Sequence, residues 1–222
     1  MSGQNEHRYA ESIATGLENL PYSGYHVRII LALAVTGFIE AYATAATGPL
    51  AALAHKPLHL TASSLGYLVI APTLGLVLSM TLGGTVLCDR FSRRSILLFG
   101  VVWSTLFTGL SPLAGSATQL IVLRFVSGIG YGLALPAAYP IGVELMPARR
   151  RHSFAWIYEI ALGLGLISTA LVGYFSGRAH LANAWRIVPL PAVPLLLIAP
   201  VLLLLFVPQS PRWLAAKGRF AA

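Results

Sequence analysis

Three charged residues interrupt stretches of this chain that are otherwise apolar: Glu40, Arg124 and Glu159. Arg124 is the only charged residue in "QLIVLRFVSGIGYGLALPAAYP", residues 119–140. A guanidinium stays charged, accepts no hydrogen bond and grips a carboxylate through two parallel N–H donors, which suits recognition of an organic acid. A carboxyl beside it can exchange a proton for that partner. A charge at the depth of a lipid hydrocarbon layer is unfavourable unless it is paired or faces water, so all three residues are functional candidates. Tyr42, Tyr131 and Tyr139 add hydroxyls to the same stretches, and Trp156 adds a ring that can stack.

The composition explains why such charges stand out. Of 222 residues, 56% are hydrophobic and 10% charged, and the mean hydropathy is +0.74. These values belong to an integral membrane protein, with the lipid bilayer as a partner. The single cysteine, Cys88, supplies neither a disulfide nor a thiolate cluster, so neither a metal nor a redox cofactor is expected. Motifs for an enzyme are missing as well: there is no Gly-x-Ser-x-Gly, no His-Glu-x-x-His and no phosphate-binding loop with its lysine. The net charge of +8 lies between apolar runs rather than along one helix face, which argues for topology and against nucleic acid.

Apolar stretches run approximately over 29–53, 63–87, 95–114, 116–143, 153–175 and 187–207. Each is long enough to cross a hydrocarbon layer of about 30 Å as a helix. The expected fold is therefore all-α, with six transmembrane helices. Residues 1–27 read as a cytosolic tail, 28–207 as the helical domain and 208–222 as the start of a central cytosolic loop. The tail carries Arg8 and Arg28, the second connection Arg90, Arg93 and Arg94, the fourth Arg149, Arg150 and Arg151, and the C-terminus Arg212, Lys217 and Arg219. The other side has only Lys56, Arg178 and Arg186, so the positive-inside rule puts both termini in the cytoplasm of a plasma (bacterial inner) membrane protein. Small residues recur four apart in three helices: Gly75, Ser79 and Gly83; Gly128 and Gly132; Ala161, Gly165, Thr169 and Gly173. Such ridges predict close helix contacts.

Depth decides which charges can meet. Glu40 lies about 18 Å from the cytoplasmic end of the first helix, and Arg124 about 12 Å below the outer end of the fourth. In a core of about 30 Å the two levels coincide within reach of an arginine side chain. The expectation is a Glu40–Arg124 pair at the midplane, facing a shared wet cavity, with an anionic substrate taking over Arg124 when Glu40 is protonated. A static ion pair that locks two helices is the competing reading. Glu159 lies only about 10 Å from the cytoplasmic start of the fifth helix. It is the alternative proton carrier, or else a helix-packing hydrogen bond.

Several loops share one pattern. "TVLCDRFSRRS" resembles the helix 2–3 loop of the major facilitator superfamily, Gly-x-Leu-Ala-Asp-Arg-x-Gly-Arg-Arg, with Thr85 and Ser92 at its two glycines. "RFVSGIG" is similar to the superfamily's Arg-x-x-x-Gly-x-Gly, "ELMPARRR" to Glu-x-x-Pro-x-x-x-Arg, and "PQSPRWLAAKGR" to the stretch after helix 6, with Gln209 where that family has Glu. The resemblance implies two inverted three-helix repeats, with helices 1 and 4 lining a central cavity. It also implies a cytosolic gate network of Asp89, Arg90, Arg93, Arg94, Glu144, Arg151 and Arg212. "LENLPYSGYHVR", "GLALPAAYP" and "SFAWIYEIALGLG" resemble the branch of metabolite:proton symporters that includes niacin and aromatic-acid carriers. The fifth stretch lacks the Gly-Pro of drug antiporters, which favours uptake. That branch has a second acid three residues after the first in helix 1, and here Ala43 stands there.

The resemblance thus implies uptake of a small, anionic metabolite by alternating access, driven by the proton gradient without a cofactor. The superfamily has twelve helices, so the expected partner is a second six-helix half or a second copy. The alternative is a truncated or split half-carrier without transport of its own, acting as an assembly partner or a vestigial product.

Overall fold

A computed structural model of the protein describes residues 23–179, 181 and 183–208, with the side chains of 82–90 and 148 set aside. The expected tail up to residue 22 and the loop from 209 onward lie outside the described residues. Helix α1 (Gly24–Ala45) continues as α2 (Thr47–Ala54). Then follow α3 (Ala62–Arg90), α4 (Arg93–Leu110), α5 (Ala117–Leu145), α6 (Arg151–Arg178) and α7 (Ala192–Phe206), with no strand among the described residues. By length and composition five stretches can cross a membrane: α1 with α2, then α3, α4, α5 and α6.

The sixth departs from expectation. The sequence predicts a span from residue 187, whereas α7 begins at Ala192 and has 15 residues, about 22 Å of helix. Prolines account for the late start. Residues 187–191 form turns that include Pro189, and Pro191 is the N-cap. Pro194 falls in the first turn, where its missing N–H leaves no bond unmade.

Serine caps set other boundaries. The Ser92 hydroxyl accepts from the Ser95 N–H at 3.2 Å and opens α4. At the start of α5, the Ser116 hydroxyl accepts from the Gln119 N–H at 3.3 Å while the Gln119 amide oxygen accepts from the Gly115 N–H at 2.8 Å. Each cap satisfies donors that a helix end otherwise exposes.

Packing interlocks the two repeats, α1 to α4 and α5 to α7. α1 lies along α6 and α7, while α5 lies along α3 and α4, so the first helix of each repeat packs on the later helices of the other. The small-residue ridges make this possible. A methyl at Gly128 would overlap the Pro72 carbonyl, and one at Gly75 the Phe125 carbonyl. In the other half a methyl at Gly165 would overlap the Phe38 carbonyl.

Two apolar cores result. One gathers Leu33, Leu97, Leu133, Phe154 and Leu203, and the other gathers Leu50, Leu68, Leu120 and Trp185. Along α1 the first core ends at Ile39 and the second begins at Ala46; along α5 the second ends at Leu123 and the first begins at Leu133. The chain therefore has a polar waist between two apolar ends, and Glu40 and Arg124 both fall in it. Outside, α3 and α6 expose Tyr67, Leu74, Ile160 and Ile167, as a lipid-facing or partner-facing surface requires.

Gly128→Val should force α3 from α5 and lower the stability of the purified chain by about 1–3 kcal/mol, the usual range for overpacking. Thermal melting in detergent checks it, with Gly163→Ala, which meets nothing within 4 Å, as the silent control.

Candidate functional site

The waist is built from helix ends. The last turn of α1 runs on through Ala46, whose N–H donates to the Tyr42 carbonyl at 3.0 Å, and carbonyls of this turn also take donors from other helices. The Tyr42 carbonyl accepts from the Thr169 hydroxyl at 3.1 Å, and the Ala43 carbonyl accepts from Nη1 of Arg124 at 3.1 Å. Nη2 of Arg124 donates to the Thr108 hydroxyl at 2.7 Å and the Ser127 hydroxyl at 2.9 Å. Ser127 in turn donates to the Arg124 carbonyl at 2.8 Å. One guanidinium thus ties α1, α4 and α5 together, with no solvent exposure.

Glu40 is equally buried, and neither carboxyl oxygen has a hydrogen-bond partner among the described residues. The expected Glu40–Arg124 ion pair is not formed. The depth argument brought Arg124 to the right level of α1, but its side chain meets the helix at Ala43, one turn past Glu40, where a backbone carbonyl and two hydroxyls occupy its terminal nitrogens. Among the described residues, neither charge lines the cavity next to the Arg124 acceptors. That cavity, of about 30 Å³, is bordered by Thr44, Ser104, Thr108, Ser127 and Tyr131, with room for about two water molecules.

The other candidates separate. Tyr42 is buried, and its hydroxyl donates to the Val188 carbonyl at 2.6 Å, which clamps α1 to the segment before α7. Tyr139 is 41% exposed, and its ring packs on Phe154 and Tyr158 at centroid distances of 5.8 and 6.1 Å. Glu159 is exposed on α6 rather than buried, and so is Trp156. At the end of the bundle that carries the basic loops Arg93 pairs with Glu144, joining α4 to α5. Nη2 of Arg94 donates to the Leu204 carbonyl at 2.7 Å, joining α4 to α7. Arg151 is the first residue of α6. The side chains of Asp89 and Arg90 are among those set aside, and Arg212 lies outside the described residues.

Sequence reading missed three groups. Ser127 was legible as the i+3 neighbour of Arg124 on one helix face. Thr108 carried no local signal. Tyr158 stood inside the quoted "SFAWIYEIALGLG" but was passed over; its hydroxyl is buried without a hydrogen-bond partner among the described residues. His, Cys, Asp and Glu form no metal-binding group among the described residues.

The family description Major Facilitator Superfamily matches residues 33–221. The 4-hydroxybenzoate transporter of Pseudomonas putida is 27% identical over 97% of this chain and 47% of its own length. The niacin transporter of Acinetobacter baylyi is 29% identical over 93% of this chain and 46% of its own. Among solved structures, the proton:xylose symporter of Escherichia coli superposes with a TM-score of 0.77 at 26% identity, covering 88% of this chain and 47% of that one. The chain spans about half the length of the curated relatives it matches.

Thr108→Val removes one acceptor from a buried cation and should cost about 1–3 kcal/mol, read as a lower melting temperature of the purified chain. Glu144→Gln weakens the Arg93 contact at the basic-loop end. Labelling of a cysteine placed on the inner half of α5 should then become faster, and an unchanged rate would remove the contact from any gating role.

Proposed function

The chain belongs to the major facilitator superfamily, and on that premise we propose that it forms six helices of a proton-coupled, alternating-access carrier for a small organic acid or related metabolite. Glu40 carries the proton, and Arg124 is the fixed cation that favours an anionic substrate. One observation carries this reading: Glu40 lies fully buried in the waist between two apolar cores, with both oxygens unpartnered among the described residues. Nothing inside the described protein stabilises its anion, so ionisation becomes favourable only when water or a cation reaches it. Alternating access brings water first from one side and then from the other.

Two relatives are named for 4-hydroxybenzoate and niacin, both aromatic carboxylates, and a third for xylose and a proton. These names support an acid as substrate and the proton gradient as driving force. Glu159, exposed on α6, is the alternative proton carrier, and Tyr139, exposed on α5, is a candidate substrate contact. The basic loops favour both termini in the cytoplasm of a multi-pass inner membrane protein. The gate comprises the Arg93–Glu144 pair with Asp89, Arg90, Arg94, Arg151 and Arg212.

The partner that closes the cavity is a second six-helix half or a second copy of this chain. The second reading, a half that transports nothing by itself and serves as an assembly partner, draws on the span of about half its relatives' length. Uptake by cells making this chain alone, and together with the C-terminal half of a relative, separates the two.

In whichever arrangement transports, Glu40→Gln should abolish gradient-driven accumulation of the substrate acid while leaving exchange of labelled for unlabelled substrate. Arg124→Lys should lower uptake at least about tenfold, because one ammonium cannot reproduce the guanidinium's spread of donors. Unchanged uptake in both variants would overturn the assignment.

A further inference from the structure

A second buried polar group lies in the first apolar core where it borders the waist, and the chemistry proposed for the site leaves it unused. Tyr158 on α6 is 2% exposed, and its hydroxyl has no hydrogen-bond partner among the described residues. Its ring lies across Gly37 on α1: a methyl there would sit 2.9 Å from Cε2 and 3.2 Å from Cζ, the carbon that bears the hydroxyl. Glu40 is three residues further along α1, one turn or about 4.5 Å of rise. Two groups without a hydrogen-bond partner among the described residues, a hydroxyl on α6 and a carboxyl on α1, therefore lie within about one helical turn of each other at the contact between α1 and α6. The rest of the ring is held by Phe154 at 5.8 Å and Tyr139 at 6.1 Å between centroids.

An orphaned hydroxyl in an apolar setting is costly, and a role in the chemistry of a site is one reason a structure retains it. The ionisable groups within reach of the Tyr158 hydroxyl are Glu40 on α1, Tyr131 on α5 and Glu159 on α6 itself. Arg124 on α5 has both terminal nitrogens bonded to Ala43, Thr108 and Ser127, while its Nε has no hydrogen-bond partner among the described residues. Neither α4 nor α7 offers another ionisable group at this level, since Arg93 and Arg94 stand at the start of α4 and α7 has none.

We propose that Tyr158 is the positioning residue of the Glu40 site: when Glu40 ionises, the Tyr158 hydroxyl donates a hydrogen bond to its carboxylate, across the Gly37 contact that holds the ring. This rests on the reading of Glu40 as the proton-carrying group. The donor favours the ionised form, so it sets the pH at which Glu40 releases its proton. The structure records the two groups without a bond between them.

Infrared titration of the purified chain in lipid nanodiscs tests this without requiring transport. The carboxyl C=O band of Glu40 is identified as the band lost in Glu40→Gln, and its loss with rising pH gives a midpoint. Tyr158→Phe keeps the ring on Gly37 and removes only the donor, so the midpoint should move to higher pH by about one unit. Tyr67→Phe, on the exposed face of α3, should leave it in place. An unmoved or lowered midpoint in Tyr158→Phe, with the Glu40 band present, overturns the role of Tyr158 and leaves Glu40 as the proton carrier. A carboxyl band that Glu40→Gln does not remove, or that pH does not change, overturns the Glu40 reading and this inference with it.

Discussion

The bilayer offers no water to a polar group at mid-depth, so each such group must find its partners inside the protein. Arg124 shows what that demands. Its guanidinium cannot shed its charge, and it is enclosed completely. The fold supplies a backbone carbonyl from α1, a hydroxyl from α4 and a hydroxyl from its own helix. Near the end of α1 two successive carbonyls take donors from other helices: Ala43 from Arg124 on α5, and Tyr42, which also accepts from the Ala46 N–H at 3.0 Å, from Thr169 on α6. A helix backbone thus serves a cation on another helix.

This waist explains the layered interior. Apolar side chains fill both ends of the bundle, and the polar residues between them can pair only if the helices come within a few ångströms of one another. Glycine makes that approach possible on both sides of the molecule: Gly75 and Gly128 where α3 meets α5, Gly37 and Gly165 where α1 meets α6. Close helices bring Arg124 to its acceptors, and they also bring the Tyr158 ring onto Gly37, one turn from Glu40. Packing and chemistry therefore have a common origin in the placement of small residues.

Much of this was legible in the sequence because lipid imposes simple rules. Apolar run length gave five of the spans, and spacing of four between small residues located the tight contacts at Gly75, Gly128, Gly165 and Gly173. The sixth span came out shorter, since hydropathy does not register that Pro189 and Pro191 delay the helix. The charged residues were found but mispaired. Axial rise placed Arg124 and Glu40 at similar depth, yet rise says nothing about rotation around the helix or about a backbone carbonyl serving as the acceptor. Thr108, 16 residues away on another helix, had no local signature at all. Glu159 was expected inside and lies outside, because α6 directs Tyr158 inward and the next residue therefore points about 100° away.

The central claim is that neutral acceptors hold Arg124, leaving Glu40 free to exchange a proton. Solid-state NMR of the chain in lipid bilayers, with labelled arginine side chains and labelled carbonyl and side-chain carbons, measures this directly. The account predicts through-space correlations from the Arg124 guanidinium to the Ala43 carbonyl carbon and to the Cβ atoms of Thr108 and Ser127, with none to the Glu40 carboxyl carbon. A strong correlation to the Glu40 carboxyl carbon in place of these would contradict it.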